Sequence, residues 1–596
     1  MFHADHDEHV IIDYPRMMGS PVAAINVEVN GVTYSISNTS AKTSLNEWLR
    51  SQPGLKGTKV TCQEGGCGSC VVALTKQDLV TGKEKTIAVN SCLFPLFAAD
   101  GFKITTTEGI GSSRSGYHPI QERIAEHNGS QCGYCTPGMV MNMYSLLSEN
   151  VQPTKQEIED SFDGNLCRCT GFRPILDAMK SFAKDEKPID IEDLQGCQGK
   201  GNCCSETRTC HGCCFNMEQL AGPQWYKPSS LTDLYTILND HSSDSVRLVA
   251  GNTGTGVYKN DGDFNVYINI SDIPELNVVQ VTDSALQLGA ALSLNTVIRE
   301  LSSNSKKSKS FDVLATHIKK IANVPVRNIG CWAGNLMLVH NHREFPSDMF
   351  TIMSAVGATL TIGSVDASTK SYSLEEFLSV DMKSKVILSI NVPFSAEDEV
   401  VKTFKIMPRH QNAHAYVNAG FRVSKDSSYT VQGTPSLVFG GVKLSPMRAS
   451  ETEKYLAGKS LLDSATLKGC LSALDEEIVP ESSPLTTSVE YRKSLAIGLF
   501  YKFYLALLGD KANERVRSAA LPYVRPISSG QQSYDTTASD YPLTEPMTKI
   551  TAKLQASGEA QYTDDIPKRQ GEVYGAFVTT TKGNCKIANI DTSEAM

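Results

Sequence analysis

Eight cysteines in the first third of the chain fall into two sets of four, and four thiolates are what a [2Fe–2S] cluster requires. The first set is Cys62-x4-Cys67-x2-Cys70, completed by Cys92. Its loop, TCQEGGCGSC from Thr61 to Cys70, carries three of the four thiols, so the backbone must curl around whatever they hold. Gly65, Gly66 and Gly68 suit that, because glycine reaches positive φ without a Cβ clash. Their bare N–H groups can also face the sulfurs and offset their negative charge. A zinc ribbon would show two separated CxxC-like pairs, and a disulfide loop suits an oxidising compartment. Plant-type ferredoxin spacing fits better.

The second set pairs QCGYCTPG, holding Cys132 and Cys135, with NLCRCTG, holding Cys167 and Cys169. Alone it leaves a thioredoxin-like pair or half a zinc site open. Against these stand the helical pattern of MVMNMYSLL (Met139 to Leu147), the lack of a surrounding βαβ unit, and a C-x-C spacing tighter than zinc sites favour.

Taken together, TCQEGGCGSC, QCGYCTPGMVM and NLCRCTGFRPI resemble the xanthine dehydrogenase/aldehyde oxidase family of molybdo-flavoenzymes, from about Pro21 onward. The resemblance implies two [2Fe–2S] clusters and FAD. It also implies an α+β multidomain fold: a β-grasp ferredoxin-like domain, a helical-bundle [2Fe–2S] domain, and an α+β FAD-binding domain with an additional α+β C-terminal subdomain. Two positions depart from the family pattern, Thr61 where glycine is common and Ser69 where alanine is common. Neither is a ligand, so the expectation is a tuned cluster rather than a lost one.

Read from its residues, LVAGNTGTG (Leu248 to Gly256) is a small-residue loop after an apolar strand, able to bring free N–H groups to a pyrophosphate. It does not fit the GxGxxG pattern of a Rossmann fold, and a plain turn would explain it equally well. The resemblance makes it the FAD pyrophosphate loop, implying contacts from Leu248, Val249, Ala250, Gly251, Asn252, Thr253, Gly254 and Thr255. Gly254 stands where many members carry glutamate. VRNIGCWAGN (Val326 to Asn335) resembles the second flavin segment, with Asn335 as a contact, Cys331 at a position often serine, and Ile321 at another. The same comparison implies flavin contacts from Asp348, Ile387 and Lys405; core packing alone would also account for Ile321 and Ile387. Dehydrogenase members carry an aromatic pair and Gly-Tyr-Arg before the last of these strands. Here EEFLSVDMKSK (Glu375 to Lys385) is shorter and lacks them, which favours O2 over NAD as acceptor.

Composition bounds the rest. The 596 residues require roughly three to five domains. With 56 Lys and Arg against 65 Asp and Glu, the net charge is −9 and no basic run stands out, so nucleic acid is not an expected partner. No apolar stretch reaches membrane-spanning length, the acidic start is unlike a secretory signal, and the cysteine-rich chain suits a reducing compartment, the cytoplasm by default. The division expected is a disordered tail at 1–21, the ferredoxin-like domain at 22–110 and the helical one at 111–190. A Cys-rich linker follows at 191–224, where Cys197, Cys203, Cys204, Cys210, Cys213 and Cys214 read as a mobile segment rather than a third metal site. The FAD-binding domain then spans 225–398, its C-terminal subdomain 399–510, a linker 511–545, and a truncated start of the molybdenum-binding portion 546–596.

TAKLQASGEAQYTDDIP (Thr551 to Pro567) resembles that start, and a short stub with nothing to pack on should be poorly ordered. No catalytic residue can be named. Molybdenum cofactor is expected only in a full-length or partnered form, which the resemblance makes a homodimer oxidising an aldehyde or N-heterocycle. A xanthine dehydrogenase-like enzyme using NAD, and an electron-transfer subunit or inactive fragment, are the alternatives.

Overall fold

Asn30-Gly31 between two alternating runs predicts a hairpin, and both residues take positive φ, +51° and +81°, between strands Ala24–Val29 and Val32–Ser37. The computed structural model describes residues 19–185 and 222–593, apart from 411, 484, 485, 531–534, 568 and 574. The expected N-terminal tail (all but its last three residues) and nearly all of the Cys-rich linker lie outside the described residues.

The hairpin edges a five-stranded mixed sheet. Strand Lys103–Thr105 runs parallel to Ala24–Val29 and antiparallel to Val71–Gln77, which pairs in turn with Glu84–Asn90. One helix, Leu45–Ser51, packs across it, begun by a capping box between Ser44 and Glu47. Helices Pro119–Glu126, Thr136–Glu149, Lys155–Ser161 and Arg173–Lys180 follow, and Thr154 with Glu157 forms the expected capping box of the third. Their apolar faces meet around Ile120, Met139, Met143, Ile158 and Ile175, all fully buried.

Beyond residue 222 a three-stranded parallel sheet, Gln224–Tyr226, Val266–Asn269 and Val246–Val249, precedes a five-stranded antiparallel sheet centred on Lys385–Pro393. The helices from Leu294 to Ala355 share one hydrophobic core with both sheets, containing Trp332, Phe311 and Phe350. A four-stranded antiparallel sheet, Glu399–Ile406 to Met447–Arg448, is covered by the long helix Val489–Leu508 through Phe421, Phe500 and Phe503.

The chain divides after Ala560. Part of the expected stub is corrected here. Helix Ala552–Ala556 lies within the first unit, with Ala552 and Ala556 buried beside the second cysteine set. Its partner surface is supplied by the same chain: Thr107 donates to the Ala556 carbonyl, and Gln555 donates to the Cys132 carbonyl at 3.0 Å. Among the described residues of the second unit, a short 3-10 turn at Thr563–Asp565 is the regular structure present, and Phe577 and Val578 are fully exposed. Among the described residues no helix is long and apolar enough to cross a membrane.

Candidate iron–sulfur and flavin site

In the first set Cys62 neighbours Cys67 and Cys70 neighbours Cys92, each pair near enough for one sulfur to lower the proton affinity of the other. Cys62 holds the Cys67 sulfur down to about 5, although burial opposes it. In the second set the neighbouring pairs are Cys135 with Cys167 and Cys132 with Cys169; Cys167 is likewise held down to about 5, first by Cys135. Two irons sharing four thiolates take two each, so two pairs of thiols fit the [2Fe–2S] group in both sets. Backbone donors fit it too. The N–H groups of Glu64 and Gly66 face Cys62, and that of Gly65 faces Cys92. Gly65 and Gly68 hold the loop at φ of +71° and +68°.

The two cysteine loops lie back to back. Leu166 N–H donates to the Cys67 carbonyl at 2.9 Å, Tyr134 Oη donates to the Val60 carbonyl at 2.8 Å, and Asn165 reaches the Gly68 carbonyl. A third segment joins them. Asp163, just before the C-x-C motif, accepts from Val324 N–H and pairs with Arg327 at 2.8 Å, both side chains almost fully buried. Asn323 donates to the Gly65 carbonyl at 2.8 Å and to Asn412, which donates to the Gly66 carbonyl at 2.8 Å. Sequence reasoning missed Asp163, Asn323, Arg327 and Asn412. Amides and a single ion pair carry no spacing signature, and their partners lie 89 to 346 residues away.

Gly65 and Gly66 then form part of the wall of a cavity of about 980 Å³, at the upper end of the range for ligand pockets. Of the residues expected at the flavin, Leu248, Ala250, Gly251, Asn252, Thr253, Gly254, Ile321, Cys331, Asn335, Asp348, Ile387 and Lys405 line it. Val249 is buried in the core instead, and Thr255 turns its hydroxyl to the Asn252 carbonyl. In the loop after strand Val246–Val249, Gly251 has no room for a side chain. A Cβ on Gly251 would sit 2.1 Å from the Ile329 carbonyl oxygen, so only glycine lets this loop pack against the segment before Cys331. Cys331 caps helix Trp332–Asn341 through its sulfur, and Asn335 accepts from Ser347. Ile321 and Ile387 belong both to the core and to the cavity wall.

Asp348 and Lys405, named separately from sequence, are one buried ion pair at 2.7 Å. Asn418 donates to Asp348 Oδ1 at 2.8 Å, and His317 Nε2 lies 3.2 Å from the same oxygen. Burial pushes the Asp348 carboxyl up, but Lys405 and then His317 outweigh it, so it stays well below the usual range. Burial pushes the His317 imidazole below its ordinary value despite Asp348. The signs follow from linkage. Both groups bind protons more readily when unfolded, so each contributes stability above its unfolded value, about 6.5 for histidine and 3.9 for aspartate, that is lost as pH falls below it. Asp348→Asn is therefore expected to flatten the fall in unfolding free energy below about pH 4, and His317→Asn the fall that begins near pH 6.5. Urea unfolding across that range checks both; unchanged slopes would contradict the assignment.

Four family models match the chain. They are a 2Fe-2S iron-sulfur cluster binding domain over residues 27–96, a [2Fe-2S] binding domain over 106–180, an FAD binding domain in molybdopterin dehydrogenase over 216–395, and a CO dehydrogenase flavoprotein C-terminal domain over 402–507. Probable aldehyde oxidase 4 of Oryza sativa subsp. japonica is 35% identical over 96% of this chain and 75% of its own length. The chain belongs to the aldehyde oxidase/xanthine dehydrogenase family. The abscisic-aldehyde oxidase of Arabidopsis thaliana is 36% identical over 95% of the chain, and the xanthine dehydrogenase of Oryza sativa subsp. japonica 32% over 96%. Against these two the chain spans about half of the relative's length, 46% in each case. It corresponds to the iron–sulfur and FAD portion of these relatives, with two [2Fe–2S] domains and one FAD-binding domain. In this family the molybdenum cofactor belongs to the full-length enzymes.

Proposed function

We propose that this chain carries electrons toward a flavin within an oxidase of aldehydes or N-heterocycles, with O2 as the final acceptor. The observation that carries the reading is the continuity of the path: the second cysteine loop abuts the first, and Gly65 and Gly66 of the first are part of the cavity wall. On this reading Cys132, Cys135, Cys167 and Cys169 hold one cluster, and Cys62, Cys67, Cys70 and Cys92 the other. Leu248, Ala250 to Gly254, Ile321, Cys331, Asn335, Asp348, Ile387 and Lys405, the expected residues that line the cavity, hold FAD. When bound, the clusters supply one-electron transfer, and FAD joins it to two-electron chemistry.

The chain's own residues hold the loops in register, exclude water from the buried thiols, and keep a fixed charge pair, Asp348 with Lys405, at the cavity. The expected domain division, a cytoplasmic location and a homodimer in the full-length enzyme belong to the same proposal. So does the choice of acceptor, which rests on the shortened 375–385 segment: Met382, Lys383, Ser384 and Lys385 line the cavity where dehydrogenase members are expected to carry Gly-Tyr-Arg nearby. The test is stopped flow on the FAD- and iron-loaded chain after dithionite reduction. Flavin absorbance is expected to return on mixing with aerated buffer and to stay bleached with NAD+ alone. NADH formation at a comparable rate would overturn the oxidase assignment in favour of a dehydrogenase.

A further inference from the structure

The two departures from the family pattern in the first loop meet in space. Thr61 Oγ1 and Ser69 Oγ lie 3.2 Å apart, and Ser69 Oγ lies 3.3 Å from Cys67 Sγ. Ser69 is 3% exposed, so this hydroxyl has little water to turn to. Its own N–H also faces Cys67. Glycine at 61 and alanine at 69 could make neither side-chain contact. The loop leaves the pair no freedom to drift: a Cβ on Gly138 would meet the Ser69 Cα at 3.1 Å, and the Ser69 carbonyl accepts from Lys59 N–H.

We propose that Thr61 and Ser69 form a hydroxyl relay onto the Cys67 sulfur that raises the reduction potential of the first cluster. It rests on the reading that Cys67 is a cluster ligand. The physics is that of a charge-assisted hydrogen bond. Reduction adds one electron and one negative charge to the cluster, and the charge spreads onto the ligand sulfurs. An O–H aimed at one of those sulfurs stabilises the reduced state more than the oxidised one. Thr61 holds the Ser69 hydroxyl in place and, by donating to its oxygen, polarises it toward the sulfur. Ser69 is a positioning and tuning residue here, since it touches the ligand and not the iron. The effect on electron flow is directional. A higher potential at the cluster beside the flavin cavity favours withdrawal of the electron from the second cluster.

The test is a redox titration of the iron-loaded chain followed by EPR, in which the two clusters give separate signals. Ser69→Ala is expected to shift the reduced/oxidised equilibrium of one cluster about tenfold toward the oxidised form. That is a fall of about 59 mV for a one-electron couple. The second cluster's potential and the iron content should remain those of the parent. Thr61→Val, which keeps the volume at an exposed position and removes the hydroxyl, should move the same signal in the same direction by less. Ser69→Thr, which retains the hydroxyl, should restore the parental potential. If Ser69→Ala leaves both potentials unmoved while both signals persist, the relay is overturned. A parent chain that takes up no cluster on Cys62, Cys67, Cys70 and Cys92 would instead sink the site reading, and the relay with it.

Discussion

Arg327→Met is expected to lower the stability of the chain by about 3–5 kcal/mol, as the loss of one partner of a buried ion pair does. The guanidinium is anchored on every side: to Asp163 at 2.8 Å, to the Ile321 carbonyl at 2.8 Å and to Asn295 at 3.3 Å. Burial outweighs the attraction of Arg327 and pushes the Asp163 carboxyl up to about 6, so the intact pair contributes little net stability. Removing one partner is a different matter, because methionine leaves a nearly inaccessible carboxyl without its cation. Asp163→Asn should cost less, since its amide oxygen can still accept from Val324 N–H. The double replacement Asp163→Leu with Arg327→Met should recover much of the loss, as apolar substitutes for buried ion pairs do. Urea unfolding followed by tryptophan fluorescence reads all three, with Trp332 inside the flavin-side core. An Arg327→Met chain within about 1 kcal/mol of the parent would show that water reaches Asp163. The loss would be felt at three places at once, because this joint binds the second cysteine set, the first loop and the cavity wall.

That joint is built from contacts that leave no local mark in the sequence. Cysteine spacing is local within each motif, so Cys62, Cys67 and Cys70 could be grouped from one loop. Cys92 joins them from a distant segment, IAVNSC, as the fourth thiol that a [2Fe–2S] cluster needs. The hairpin at Asn30-Gly31 and the capping boxes at Ser44 and Thr154 were legible for the same reason: each is settled within a few residues. Asp348 and Lys405 were found one at a time, and nothing in their 57-residue separation announces an ion pair with His317 behind it. Asn323 and Asn412 act through side-chain amide hydrogen bonds to segments far away in sequence, and an asparagine before an apolar helix reads only as a cap. Asn323 is indeed that cap, accepting from Val326 N–H, and its amide nitrogen does the second task unseen. Helix Ala552–Ala556 failed in the other direction. It was expected to lack a partner, whereas the second cysteine loop offers it Ser130 and the carbonyls of Gln131 and Cys132.

Gly138→Ala should separate the two cysteine loops. A Cβ there would stand 2.1 Å from the Gly68 carbonyl oxygen and 3.1 Å from its carbon, and real Cβ contacts do not approach 3 Å. The obstruction is backbone on both sides, so no rotamer change relieves it. Gly68 cannot retreat, because it is held at φ +68° and its own Cβ position is filled by the Gly164 carbonyl at 2.6 Å. The helix Thr136–Glu149 must move instead, and Cys135, its N-cap, moves with it. Overpacking of this kind costs typically about 1–3 kcal/mol, and here the displacement falls on the thiols of both sets. The expected result is loss of iron from the second set and a broadened EPR signal from the first. Gly498→Ala supplies the control. Gly498 lies inside helix Val489–Leu508 with nothing within 4 Å of its Cβ position, so alanine there should stabilise the chain by about 0.8–1.0 kcal/mol and leave both signals unchanged. Were Gly138→Ala to retain both clusters with parental line shapes, the close stacking of the two loops, on which the electron path depends, would have to be abandoned.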